Sequence, residues 1–168
     1  MSPSHTCVCL LLAMVAVKSC GANIFRIEAE STKDDLPKID RSNASNKKDV
    51  LLYQNEMLSF KFCLKGKTPV GIKNVMYSND GGADKCVLNF NTKKVGEFES
   101  TTATDFGKLW NVFKSSGSLG SAMTLDSGRN TVILFVKSAD DYGIEIDHID
   151  VDVGDDEVTE EIFTCNID

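Results

Sequence analysis

Residues 25–31 read FRIEAES and residues 143–153 read GIEIDHIDVDV. Successive side chains on a strand point to opposite faces. In the first stretch Phe25, Ile27 and Ala29 therefore share one face, and Glu28 and Glu30 share the other. Two such carboxylates stand roughly 6.5–7 Å apart along the strand. They form either a solvated strand edge or part of a metal site. The second stretch changes phase. Ile144 and Ile146 have one parity, whereas Ile149, Val151 and Val153 have the other. A bulge near Asp147-His148 returns both sets to one core and re-aims Asp147.

The same period-two pattern recurs between these stretches. Leu58, Phe60, Phe62 and Leu64 alternate in MLSFKFCL, and VGIKNVMY, CVLNFN, SAMTL and TVILFVK read as further strands. Clusters of Gly, Asn, Asp and Ser separate them. Asn79-Asp80-Gly81-Gly82 carries the residues of a hairpin turn joining its two neighbours. The polar run at 31–49 reads as an exposed loop. About eight short strands with almost no helix predict an all-β, two-sheet antiparallel β-sandwich.

The chain has 168 residues, enough for one domain with a substantial core. The apolar run from Cys7 to Val17 is too short to span a bilayer and has the length of a signal-peptide core. We expect a signal peptide over 1–22, with cleavage after Ser19 or Ala22, a module over 23–153 and an acidic tail over 154–168. The mature protein is thus expected to be secreted and extracellular, with no membrane span. Export favours disulfides. Cys20, Cys63, Cys86 and Cys165 are the candidates, and their pairing depends on the cleavage point. Asn43-Ala44-Ser45 is a glycosylation sequon.

Charge is unevenly placed. Residues 23–137 hold 17 Lys/Arg and 13 Asp/Glu, whereas residues 138–168 hold 12 Asp/Glu and no Lys or Arg. That acidic end argues against a nucleic-acid partner. The spacing of the cysteines gives no zinc site. One histidine, His148, follows the signal region, and no Ser-His-Asp or Cys-His set can be assembled around it from the sequence. The chain is therefore read as non-catalytic.

Both ends resemble carbohydrate-binding modules of families six and thirty-five, which are jelly-roll sandwiches of the galactose-binding-like superfamily. The resemblance rests on Ile27-Glu28-Ala29-Glu30-Ser31, on Leu109-Trp110-Asn111, on Leu125-Asp126-Ser127-Gly128-Arg129-Asn130-Thr131-Val132 and on Ile146-Asp147-His148-Ile149-Asp150-Val151, in that order. It covers roughly residues 23–153. It implies a structural calcium ion held by Glu28, Glu30 and Asp147, whose oxygens suit that ion's irregular coordination. It also implies a glycan site built on Trp110, with Phe113 as a second ring; Tyr53 and Tyr77 are candidate partners that read equally well as strand residues. The sequence departs from the family in having one tryptophan and few tyrosines. The expected partner is an extracellular glycan or matrix polysaccharide. The alternative is an acidic extracellular matrix protein associated with calcium mineral.

Overall fold

The structure is a computed structural model, and it describes residues 23–32, 35–102 and 110–154. Eleven strands form two antiparallel sheets. The larger sheet holds seven strands: β1 (Ile24–Glu28), β2 (Lys38–Asp40), β3 (Lys48–Leu52), β5 (Thr68–Ser78), β8 (Lys114–Ser115), β9 (Leu119–Leu125) and β11 (Ile144–Asp152). The smaller runs in the order β4 (Met57–Leu64), β10 (Gly128–Ser138), β6 (Lys85–Phe90), β7 (Lys93–Glu99). The sandwich expected from the alternation is the fold observed.

Alternation also explains the core. On β4, Leu58, Phe60, Phe62 and Leu64 are buried. They meet Leu88 and Phe90 of β6 and Val132, Leu134 and Val136 of β10. Phe62 and Phe90 pack edge to face, with ring centroids 6.1 Å apart. From the opposite sheet come Val50, Leu52, Val70, Ile72, Val75, Ile144, Ile146 and Ile149. The edges of the two sheets meet where β7 approaches β9. A Cβ on Gly120, whose φ is +63°, would lie 1.9 Å from the Val95 carbonyl oxygen, so only glycine fits there.

β11 is the organising strand. It pairs with β5 along one side and with β1 and β3 along the other. Its register against β5 jumps between Ile146 and His148, leaving Asp147 as the extra residue. This is the bulge that the parity change required. Three sequence expectations are corrected. Asn79–Gly82 does not close a hairpin, because β5 and β6 lie in different sheets and the turn carries the chain from one to the other. The run 31–49 is not all loop: it contains β2, a single 3-10 turn at Ser45–Lys47 and the start of β3. Finally, β1 stops at Glu28, and Ala29–Ser31 form a 3-10 turn that takes Glu30 off the strand.

Candidate functional site

Glu28 ends β1 directly opposite His148 of β11, and the bulge sets Asp147 beside it. The turn at Ser45–Lys47 closes over this spot. Asn46 and Lys47 both have positive φ, 50° and 60°, a conformation that costs non-glycine residues energy and that surrounding contacts must hold. Those contacts are made by Ser45. Its hydroxyl lies 2.5 Å from Glu28 Oε2, 2.5 Å from Asp147 Oδ1 and 3.2 Å from His148 Nδ1, and its backbone N–H donates to Asp147 Oδ1 at 2.9 Å. One hydroxyl proton can serve only one of the two carboxylates. Ligand atoms of Glu28, Asp147 and His148 lie within 4.8 Å of one another. Glu30 is outside that group, and its Oε2 is buried without a hydrogen-bond partner.

These residues include a serine, a histidine and an aspartate, but they are not a nucleophile-activating triad. Ser45 Oγ and Asp147 Oδ2 approach the same ring nitrogen, Nδ1, at 3.2 and 3.0 Å. A triad places the hydroxyl and the carboxylate on opposite nitrogens of the ring. Here Nε2 instead faces Asp150 Oδ2 at 3.5 Å.

Further along the same face, Arg41 clamps the buried Glu145. Its Nε donates to Oε2 at 2.8 Å and its terminal nitrogen to Oε1 at 2.5 Å. The pair raises the Arg41 pKa, so the guanidinium is permanently charged. Asp49 of β3 is fully buried next to Glu145, with both carboxyl oxygens lacking hydrogen-bond partners. Burial, and then the Glu145 carboxyl, push the Asp49 pKa up to about 8. Burial and the nearby Glu145 carboxyl thus favour the protonated form of Asp49.

Arg41 also carries Trp110. The guanidinium carbon stands 5.9 Å from the centre of the indole ring, within cation–π range. Asn111 ties this segment down: its side-chain oxygen accepts from the Asn43 N–H at 2.9 Å, and its backbone oxygen accepts from Asn43 Nδ2 at 2.9 Å. The sequon asparagine is exposed, with its amide engaged in that contact. Trp110 and Phe113 are both half-buried.

Two rings are more open. Tyr53, just past β3, is 41% exposed, and Tyr142, just before β11, is 50% exposed. Gly143, the residue after Tyr142, packs on Tyr53: a Cβ there would lie 3.1 Å from Tyr53 Cδ1. Leu51 faces Glu145 across β3 and β11, so Tyr53 falls on the Arg41 side of the sheet, about one strand repeat from that pair. Tyr142 was not picked out from the sequence; its place in the turn Asp140-Asp141-Tyr142-Gly143 was the available signal. Asp140 shapes that turn by accepting from the N–H groups of Gly82 (2.5 Å), Tyr142 (2.8 Å) and Gly143 (3.2 Å). The neighbouring Asp84 is buried, and desolvation raises its carboxyl to about 6.

The other sequence candidates fall as follows. Tyr77 is a core residue: its parity on β5 points it inward against Phe98, ring centroids 5.2 Å apart, so it offers no face to a ligand. Cys86 is not in a disulfide. It is a free, buried thiol, and burial pushes its pKa to about 12. Alternation turns Cys86 inward, while Cys63 lies on the opposite face of β4, two strands away across β10. Cys63 is disulfide-bonded. Cys20, Cys165, the expected signal segment and nearly all of the expected acidic tail lie outside the described residues.

No family model matches the sequence, and no curated protein gives a significant match. Solved structures do match in three dimensions. The C-terminal CBM6 of LamC, a marine laminarinase from Zobellia galactanivorans, superposes with a TM-score of 0.58 at 16% identity over 77% of this chain and 99% of that one. A family 35 carbohydrate-binding module from Clostridium thermocellum gives 0.56 at 17% identity over 76% and 98%. The fold is that of a carbohydrate-binding module, a jelly roll. An exo-β-1,3-galactanase from Phanerochaete chrysosporium also matches, at a TM-score of 0.58 and 16% identity, but this chain spans only 29% of its length. At these identities the likeness establishes architecture.

Proposed function

We propose that this chain is a secreted, non-catalytic carbohydrate-binding protein whose sugar surface is the end of the sandwich bearing Tyr53, Tyr142 and Trp110. The observation that carries the reading is two exposed tyrosines, Tyr53 and Tyr142, with Tyr53 packed against the residue that follows Tyr142, together with a half-buried tryptophan held over Arg41. An aromatic face gives apolar area to the C–H face of a sugar, and the phenol hydroxyls fix its orientation. Phe113 borders this surface and adds area without a hydrogen-bonding group.

A calcium ion fits the carboxylate cluster. Glu28 and Asp147 offer hard anionic oxygens, Ser45 adds a hydroxyl, and a single hydroxyl proton cannot satisfy both carboxylates. Glu30 lies in the adjacent 3-10 turn, outside the group formed by Glu28, Asp147 and His148, with one buried oxygen lacking a hydrogen-bond partner. Bound calcium would neutralise the paired carboxylates. The chain's own part is to hold β1, the β11 bulge and the Ser45–Lys47 turn together, and that turn is tethered through Asn43 and Asn111 to Trp110.

Tyr142→Ala and Tyr53→Ala are the tests of the sugar surface, read by affinity electrophoresis on immobilised β-glucans and galactans. Each ring is expected to contribute roughly 1–2 kcal/mol, a fall in affinity of about tenfold, with the fold intact. Retained binding in the double variant would refute this surface. For calcium, a ligand bound only to the folded state adds about 2.7 kcal/mol at one hundred times its dissociation constant. The chelated protein should then melt several degrees lower, and Glu28→Gln should remove the difference.

A further inference from the structure

Charged side chains of both signs gather at the two ends of the sandwich. At one end lie Glu56, Asp84, Asp140, Asp141 and Glu145, together with Lys85 and with Arg41 paired to Glu145. At the other, the turns between β4 and β5, β6 and β7, and β9 and β10 carry Lys65, Lys67, Lys93, Lys94 and Arg129. A cavity of about 390 Å³ opens between the β6–β7 and β9–β10 turns at this basic end. That is within the size range of small-ligand sites. It lies the length of β10 away from the tyrosine surface, roughly 33 Å at ~3.3 Å per residue.

The cavity has three properties of a built site. Its walls are braced. Asn91, at a φ of 54°, donates to Asn130 Oδ1 at 3.0 Å and accepts from the Thr131 N–H at 2.9 Å; Asn130 in turn donates to the Asp126 and Gly128 carbonyls. Both rim turns are therefore fixed before any ligand arrives, which lowers the cost of ordering on binding. It has apolar area, from the partly buried Met123 and the edge of Leu125. It also has charge. Lys93, Arg129 and Asp126 line it; Asp126 is paired with Lys67, and Lys94 with Glu97, whereas neither Lys93 nor Arg129 forms an ion pair with any described residue.

We propose that this cavity is a second carbohydrate site, specific for a sugar unit bearing a sulfate or carboxylate group. Arg129 presents a planar fork suited to either anion, Lys93 adds a mobile second charge, and Met123 meets the C–H face of the ring. Asn91 retains one amide hydrogen for a sugar hydroxyl. An acidic protein thereby holds anionic glycans at one end while the tyrosine surface takes a neutral sugar at the other.

Isothermal titration of the full chain with a sulfated galactose disaccharide and with a galacturonic acid trimer tests this, with inorganic sulfate as the control. At least one of the two saccharides should bind, more weakly as salt rises. Arg129→Gln with Lys93→Gln should cut that affinity at least tenfold. Both side chains are exposed, so the thermal melt should not move. Tyr142→Ala should leave this binding unchanged while weakening neutral-glycan binding, so the two sites can fail separately. The proposal is overturned if neither saccharide binds at millimolar concentration, if the double variant binds as the parent does, if Tyr142→Ala abolishes the signal, or if inorganic sulfate binds as tightly as the saccharide.

Discussion

Replacing Asp49 with asparagine should stabilise the protein at pH 8 and do almost nothing at pH 4. Asp49 is fully buried, and desolvation, followed by the facing Glu145, raises its carboxyl from 3.8 to about 8. The sign follows from proton counting. Between about pH 4 and 8 the folded state keeps a proton that the unfolded chain has released, so stability falls as pH rises through that window. Asp84, raised to about 6, adds to the fall only in the lower half of the window. The interval from pH 6 to pH 8 therefore isolates Asp49. Two pH units at 1.36 kcal/mol each set a ceiling of about 2.7 kcal/mol. Rearrangement of the Arg41–Glu145 pair absorbs part of this, so we expect about 1–2 kcal/mol. Asparagine has the shape of the neutral acid, so no cavity is created. The assay is urea denaturation of both proteins in chelator at pH 4.5, 6 and 8. The parent should lose more stability than Asp49→Asn between pH 6 and 8. Parallel pH profiles, or a variant equally destabilised at every pH, would refute the buried neutral acid.

Cys86 should resist alkylation at pH 8 in the native protein and react on denaturation, because its thiol is buried and raised to about 12; rapid native labelling would contradict its placement. Gly120→Ala should cost about 2–4 kcal/mol, from a positive φ and a Cβ driven into the Val95 carbonyl; a neutral result in thermal melts would contradict the contact of β7 with β9. Phe62→Ala should cost about 3–5 kcal/mol, since the ring is 1% exposed and packs on Phe90.

The fold was legible because burial imposes a period of two. The clearest case is β11, where the shift of parity between Ile146 and Ile149 called for one extra residue, and the bulge falls there. Turn chemistry was less informative. Asn79-Asp80-Gly81-Gly82 reverses the chain as its residues require, but local geometry does not say whether the next strand joins the same sheet. The candidate metal residues were half legible. Glu28 and Asp147 come together, whereas Glu30 leaves the strand because the chain coils into a 3-10 turn at Ala29. Ser45 and Asp49 had no sequence signal as site residues. Ser45 sits in a turn held at positive φ by long-range contacts, and Asp49 reads as one more charge in a polar run. Tyr53 is brought against Gly143, next to Tyr142, by pairing of β3 with β11, a contact of high sequence separation that composition does not reveal.

The central claim is sugar binding at the tyrosine end, and a glycan array probed with the folded chain, with and without calcium, tests it most directly. The account predicts a defined set of bound neutral glycans, lost on Tyr53→Ala with Tyr142→Ala and weakened by chelation. A folded, calcium-supplied protein that binds none of the neutral glycans on the array would contradict it.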